Sequence, residues 1–139
     1  MNRLYILLTL MVVTAGTLFA GHDALAKVLT GTGGDDTLLG TDRNDRLTGR
    51  AGVDRLKGNR GNDRLWGGGN DKIIPGKDND KVYAGYGDDL IYARDTDGVD
   101  NIDCGPGFDK VETIHRDDVT LSNCERDLGP DRGHIETDG

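Results

Sequence analysis

The sequence predicts an all-β fold built as a stack of short repeats, and three observations predict it. An Asp recurs at nearly fixed spacing, at Asp36, Asp45, Asp54, Asp63, Asp71, Asp80, Asp89, Asp100 and Asp109, in steps of 9, 9, 9, 8, 9, 9, 11 and 9 residues. Two residues after each stands an aliphatic side chain: Leu38, Leu47, Leu56, Leu65, Ile73, Val82, Ile91, Ile102 and Val111. Two residues before most of them stands a glycine: Gly34, Gly52, Gly61, Gly69, Gly87, Gly98 and Gly107. Each unit therefore splits into about six residues rich in Gly, Asn and Asp, which permit tight turning, and three with an aliphatic centre, which suit a short strand. A unit so small cannot bury its aliphatic side chain alone, whereas stacked units bury a column of them and pair their strand edges.

In chain order, residues 1–26 read as a secretory signal. Met1-Asn2-Arg3 is a short positive start, Leu4 to Ala20 is apolar, and Ala24-Leu25-Ala26 is a small-x-small cleavage site before Lys27. A membrane anchor is the weaker reading of this run, because a cleavage site follows it and no stop-transfer segment does. Removal of the segment takes away Arg3 and Asp23, so the formal charge stays at −8. Stable membrane insertion is not expected afterwards.

Val28-Leu29-Thr30 reads as a starting strand with Leu29 in the aliphatic place. Units then follow from Gly31, Gly40, Gly49, Gly58, Gly67 (one residue short), Pro75, Ala84, Ala93 (two residues long) and Cys104, to Glu112. Pro75 opens its unit, a place read as loop, where a missing N–H costs least. Past Glu112 the period stops, although Ile114, Val119 and Leu121 allow one irregular strand or cap over the last rung. The chain thus divides into a signal (1–26), a repeat region (27–112), a cap (113–126) and a loose tail (127–139).

An acidic, Gly-rich, aromatic-poor chain argues against nucleic acid and towards cations. Two cysteines, Cys104 and Cys124, in an exported chain are most simply a disulfide; a metal site is weaker, since two thiols lack the further ligands of a tetrahedral shell. Several catalytic signatures are missing. There is no His-Glu-x-x-His and no phosphate-binding Gly loop ending in Lys-Thr or Lys-Ser. The sole serine, Ser122, has no evident base, and His115 and His134 read as surface residues. Asp95-Thr96-Asp97-Gly98 is not an EF-hand loop, because its Gly comes too early.

The Gly-x-Asp-x-aliphatic core at a period of nine resembles the repeats-in-toxin (RTX) calcium-binding repeats. That resemblance implies a parallel β-roll in which alternate units lie on opposite sides, so that units n and n+2 are neighbours in one sheet. It implies Ca2+ as the cofactor, in several sites, held by the nine repeat Asp residues together with backbone carbonyls of the next turn on the same side. Nine turns give seven same-side pairs, an upper limit on such sites. The fullest turns end in Asp36, Asp63 and Asp89, while Arg43 and Asp78 replace the second Gly, and Val53, Val99 and Phe108 replace the Asn or Asp before the ligand. Asp35, Asn44, Asn62, Asn70, Asn79 and Asp88, in that preceding place, are expected to help hold the turn. The stretch from Cys104 to Cys124 looks like the ending of small secreted RTX-like proteins, which implies a disulfide-tied C-terminal cap.

The functional expectation is a secreted or cell-surface calcium-binding module with no catalytic activity. The alternative is an accessory module or remnant of an RTX-type secreted enzyme. Ten aliphatic side chains make a thin core for the ordered length, and converging carboxylates repel, so calcium is expected to take part in folding. On the outer faces, Trp66 should lie beside Tyr83 and Ile74 beside Tyr92, with Arg46, Arg55, Arg64, Lys72 and Lys81 as basic rows. An anionic polysaccharide or other cell-surface polymer is the partner this face suggests.

Overall fold

Three-residue strands with one inward aliphatic side chain and two outward neighbours follow from the alternation of side chains along an extended chain. The structure, a computed structural model, describes residues 25–94, 96–114, 119–124 and 126–127. Its strands are β1 (Val28–Thr30), β2 (Thr37–Leu39), β3 (Arg46–Thr48), β4 (Arg55–Arg60), β5 (Arg64–Trp66), β6 (Lys72–Lys77), β7 (Lys81–Tyr83), β8 (Leu90–Ala93), β9 (Asp100–Asp103), β10 (Lys110–Thr113), β11 (Val119–Ser122) and β12 (Arg126–Asp127). No helix occurs among the described residues.

Odd-numbered strands form one parallel sheet in the order β1-β3-β5-β7-β9-β11, and even-numbered strands form the other, β2-β4-β6-β8-β10-β12. Successive units alternate between sheets, which is the β-roll. Registers place like on like: Leu29↔Leu47, Leu47↔Leu65, Leu65↔Val82 and Val82↔Ile102 in one sheet, Leu38↔Leu56, Leu56↔Ile73 and Ile73↔Ile91 in the other. Leu47, Leu56, Leu65, Ile73, Val82, Ile91, Ile102 and Val111 are buried between the sheets, with Leu29 and Leu38 partly covered at the first rungs.

Stacking runs past the last periodic unit. β11 pairs with β9 over four residues, from Val119↔Asp100 to Ser122↔Asp103, and Leu121 continues the aliphatic column. Cys104 and Cys124 are joined in a disulfide with their Cα atoms 5.2 Å apart, fastening the chain after β11 to the turn that opens the last repeat. The signal segment up to residue 24, Asp95, His115, Glu125 and residues 128–139, His134 among them, lie outside the described residues.

Two strands depart furthest from the three-residue expectation. β4 and β6 each run six residues, because their pairing continues into the following turns through Asn59↔Gly76 and Arg60↔Lys77. Pro75 consequently lies inside β6 and is buried, not in a loop. Nor is its missing N–H without effect. At the equivalent place in other units, the N–H of Gly31, Gly40, Gly49, Gly67, Ala84 and Cys104 each donates to a carbonyl of the next same-side strand. Proline removes that donor, and the β6–β8 pairing ends at Ile73↔Ile91. Ile74 and Tyr92 therefore flank a shallow depression and are not ladder partners.

Candidate calcium turns

The strands carry the turns into two columns. Asp36, Asp54, Asp71, Asp89 and Asp109 precede the even strands; Asp45, Asp63, Asp80 and Asp100 precede the odd ones. Except for the half-buried Asp36, all are at most 3 % exposed. Buried ionisable groups persist only where polar contacts or an opposite charge compensate them, and one of the two carboxylate oxygens is compensated in a regular way.

In each column the backbone N–H of one repeat Asp donates to Oδ1 of the next. The even column runs Asp36 to Asp54 (2.8 Å), Asp54 to Asp71 (2.8 Å), Asp71 to Asp89 (2.7 Å) and Asp89 to Asp109 (2.9 Å). The odd column begins with Lys27 donating to Asp45 (2.5 Å), then Asp45 to Asp63 (2.6 Å), Asp63 to Asp80 (2.7 Å) and Asp80 to Asp100 (3.0 Å). A second set runs the opposite way, one residue earlier. The N–H of Val53 donates to Asp35, that of Asp88 to Asn70 and that of Phe108 to Asp88; on the odd side Asn62 donates to Asn44, Asn79 to Asn62 and Val99 to Asn79. All six residues expected to hold the turns are acceptors here. Val99 and Phe108 stand where each column of such donors ends among the described residues, so they need only donate.

The second carboxylate oxygen, Oδ2, points into its own turn. There it meets the first residue of the unit and a carbonyl from the next same-side unit. A methyl carbon added to Gly31 would stand 2.6 Å from the Gly49 carbonyl oxygen and 2.7 Å from Asp36 Oδ2. The same convergence joins Asp45 Oδ2 with the Gly58 carbonyl beside Gly40, Asp63 Oδ2 with the Pro75 carbonyl beside Gly58, and Asp71 Oδ2 with the Ala84 carbonyl beside Gly67. Asp54, Asp63 and Asp89 have Oδ2 atoms that are fully buried and without a hydrogen-bond partner. Burial pushes the Asp63 and Asp89 carboxyls up to about 7, against backbone N–H donation that lowers them, and also raises Asp71.

Turn conformation separates the first two turns from most of those that follow. Positive φ recurs at the second and fourth places, as at Asn59 (87°) and Gly61 (101°), where a left-handed backbone favours Gly or Asn. In the first two turns Thr occupies the second place instead, without positive φ. Thr32 donates to Asp36 Oδ2 through its N–H (2.6 Å) and hydroxyl (2.9 Å), and Thr41 donates likewise to Asp45. Sequence reasoning missed these donors, although Thr at the second place of two successive units was the available signal.

Carbonyl and carboxylate oxygens converging without a donor suit a hard cation, and calcium takes six to eight such ligands. Among the described residues no three His, Cys, Asp or Glu side chains gather in one place. The residues fit a site of one carboxylate with backbone carbonyls, and not a carboxylate cage.

On the outside of the odd sheet, Trp66 and Tyr83 stack with ring centroids 5.7 Å apart and planes 10° apart, and the Arg46 guanidinium lies 5.5 Å from the Trp66 ring. On the even sheet Lys72 sits 4.7 Å over Tyr92.

Searches of curated proteins and of solved structures return no match to this chain. The RTX calcium-binding nonapeptide repeat matches it four times, over residues 30–65, 49–82, 67–99 and 74–111, which together span more than half of the 139 residues. With the alternating parallel sheets and a buried Asp at each turn, the chain belongs to the family of RTX calcium-binding repeat proteins.

Proposed function

We propose that this chain is a secreted calcium-binding structural module, whose turns take up several Ca2+ ions, whose roll forms as they bind, and which carries out no catalysis. The observation behind it is that the Oδ2 atoms of Asp54, Asp63 and Asp89 are buried without a hydrogen-bond partner, the first two beside the side-chain-free Gly49 and Gly58. An ionised carboxylate in that position is costly, and it is raised towards neutrality at Asp63 by burial. Calcium supplies the positive charge that lets these carboxylates stay ionised. The chain's own residues do the rest: backbone N–H groups fix Oδ1, the inward aliphatic column fixes the spacing of the turns, and the next unit supplies the carbonyl. The Cys104–Cys124 disulfide suits an oxidising compartment, which supports export through residues 1–26. Far-ultraviolet circular dichroism of the chelated chain should gain β signal when calcium reaches about 0.1–1 mM, the range of extracellular modules. Identical spectra with and without calcium would refute folding on binding.

A second part of the reading concerns the outer face. Arg46, Arg64 and Lys81 are in register along the odd sheet beside the Trp66–Tyr83 stack. Like charges at this spacing are unfavourable unless countered, and an anionic polysaccharide would counter them. Trp66 fluorescence should shift when such a polymer is added in saturating calcium, and Arg64→Glu should abolish the shift.

A further inference from the structure

The first residue of each turn is Gly31, Gly40, Gly49, Gly58 and Gly67 in the first five units, then Pro75, Ala84, Ala93 and Cys104. None of the five glycines has a positive φ, in contrast to Gly52, Gly61 and Gly68. Pro75, Ala84, Ala93 and Cys104 show that a residue with a side chain accepts this backbone, since none of them has positive φ either. Glycine at this place is therefore not required by the backbone. What it provides is space, because an added Cβ would be driven onto the Asp carboxylate in all five turns and onto the next unit's carbonyl in four of them. At Gly31 those two contacts, 2.7 and 2.6 Å, lie close to the roughly 2.3–2.6 Å at which calcium holds oxygen. In the later units a residue with a Cβ stands at this place, and Ala84, Ala93 and Cys104 are at most 3 % exposed and belong to the hydrophobic core.

We infer that the first residue of each turn decides whether it takes calcium, so that the roll is divided. Turns opening on glycine, those of Asp36, Asp45, Asp54, Asp63 and Asp71, are the calcium turns. Those of Asp80, Asp89, Asp100 and Asp109 are closed by Cβ atoms and hold their shape by packing and by the disulfide. Of the seven same-side pairs of turns, five remain. This inference rests on the calcium reading above and specifies which turns carry it.

Calcium alone is the probe, with ions counted on the full chain by isothermal titration and by native mass spectrometry. Wild type should bind no more than five. Gly58→Ala, which the φ of Gly58 allows and whose Cβ would press on the Asp63 carboxylate and the Pro75 carbonyl oxygen, should bind one fewer. Ala84→Gly should bind one more, by opening the turn of Asp89, and this gain cannot be mimicked by a folding defect. More than five ions on wild type, an unchanged count in Ala84→Gly, or an unchanged count in Gly58→Ala would each overturn the inference while leaving calcium binding intact. A chain that binds no calcium overturns the calcium reading itself, and this inference with it.

Discussion

The backbone N–H of Asp45 donates to Oδ1 of Asp63, 2.6 Å away and one turn further along the same side. One residue before, the direction reverses, with Asn62 donating to Asn44 at 2.8 Å. Neighbouring turns are thus clasped by bonds of both polarities, and what each side chain contributes depends on where in the column it stands.

Asp63→Ala should cost calcium binding more than Asp45→Ala. The first leaves the buried N–H of Asp45 without an acceptor, a loss of about 1–3 kcal/mol, and removes a partnerless buried Oδ2 from a calcium turn. The second releases the N–H of the exposed Lys27 and both donors of the buried Thr41, but the Asp45 Oδ2 that Thr41 already serves is the weaker calcium ligand of the two. Calcium titrations followed by circular dichroism should show the larger drop in cooperativity for Asp63→Ala; equal losses would contradict the ranking.

Val53→Asn should stabilise the calcium-loaded roll by about 1 kcal/mol. Val53 receives Asp35 as its acceptor but offers none to Asn70, and it is more than half exposed, so little packing is lost. Thermal unfolding in saturating calcium measures the gain, and a lower melting temperature would show that the column does not extend through this turn.

Acid should oppose calcium. Asp63 and Asp89 sit at about 7 in the roll against 3.8 for an ordinary Asp, so between those values the calcium-free roll binds protons that the unfolded chain does not. Their contribution to the calcium-free roll is therefore fully present below about 4 and is lost as pH rises through about 7. Calcium needs the Asp63 carboxylate ionised, so the midpoint of folding should move several-fold to higher calcium as pH falls from 8 to 6. It should stay level above 8. Titrations at four pH values decide this, and a midpoint independent of pH would contradict it.

Reducing the disulfide should loosen the cap before the centre. It closes a separation of 20 residues, worth about 3 kcal/mol in the chain-entropy account. Hydrogen exchange in saturating calcium should quicken at Cys104, whose N–H donates to Ser122, and stay slow at Leu65 and Val82 in the middle of the odd sheet. Uniform acceleration would mean that the disulfide supports the whole roll.

The aliphatic column was legible in a period of nine and a side-chain alternation of two, while the alternation of sheets, and with it the Trp66–Tyr83 neighbours, was implied by the resemblance to RTX repeats. The six acceptors before the repeat Asp were legible from residue type at a fixed place. The cost of Pro75 was not, since nothing local says that the first N–H of a unit donates to a strand 16 or more residues ahead. Thr32 and Thr41 were missed for a related reason: a short hydroxyl side chain reads as an ordinary turn residue until the direction of the Asp Oδ2 is known. The meaning of glycine in first place needed coordinates too, because backbone freedom and empty space leave the same letter in a sequence.

The side-chain bonds that link turns in the two columns span 17 to 20 residues, two units at a time. Length variation in such a chain therefore has a parity. Loss of a single nine-residue unit would carry every later strand to the opposite sheet, so that the basic and aromatic faces built by Arg64, Trp66, Lys81 and Tyr83 would be redistributed between the two sides. Loss of two consecutive units restores each survivor to its own side, with its Asp beneath the same kind of neighbour. Chains of this architecture can grow or shrink in even steps with their surfaces intact, and odd steps rewrite both surfaces at once.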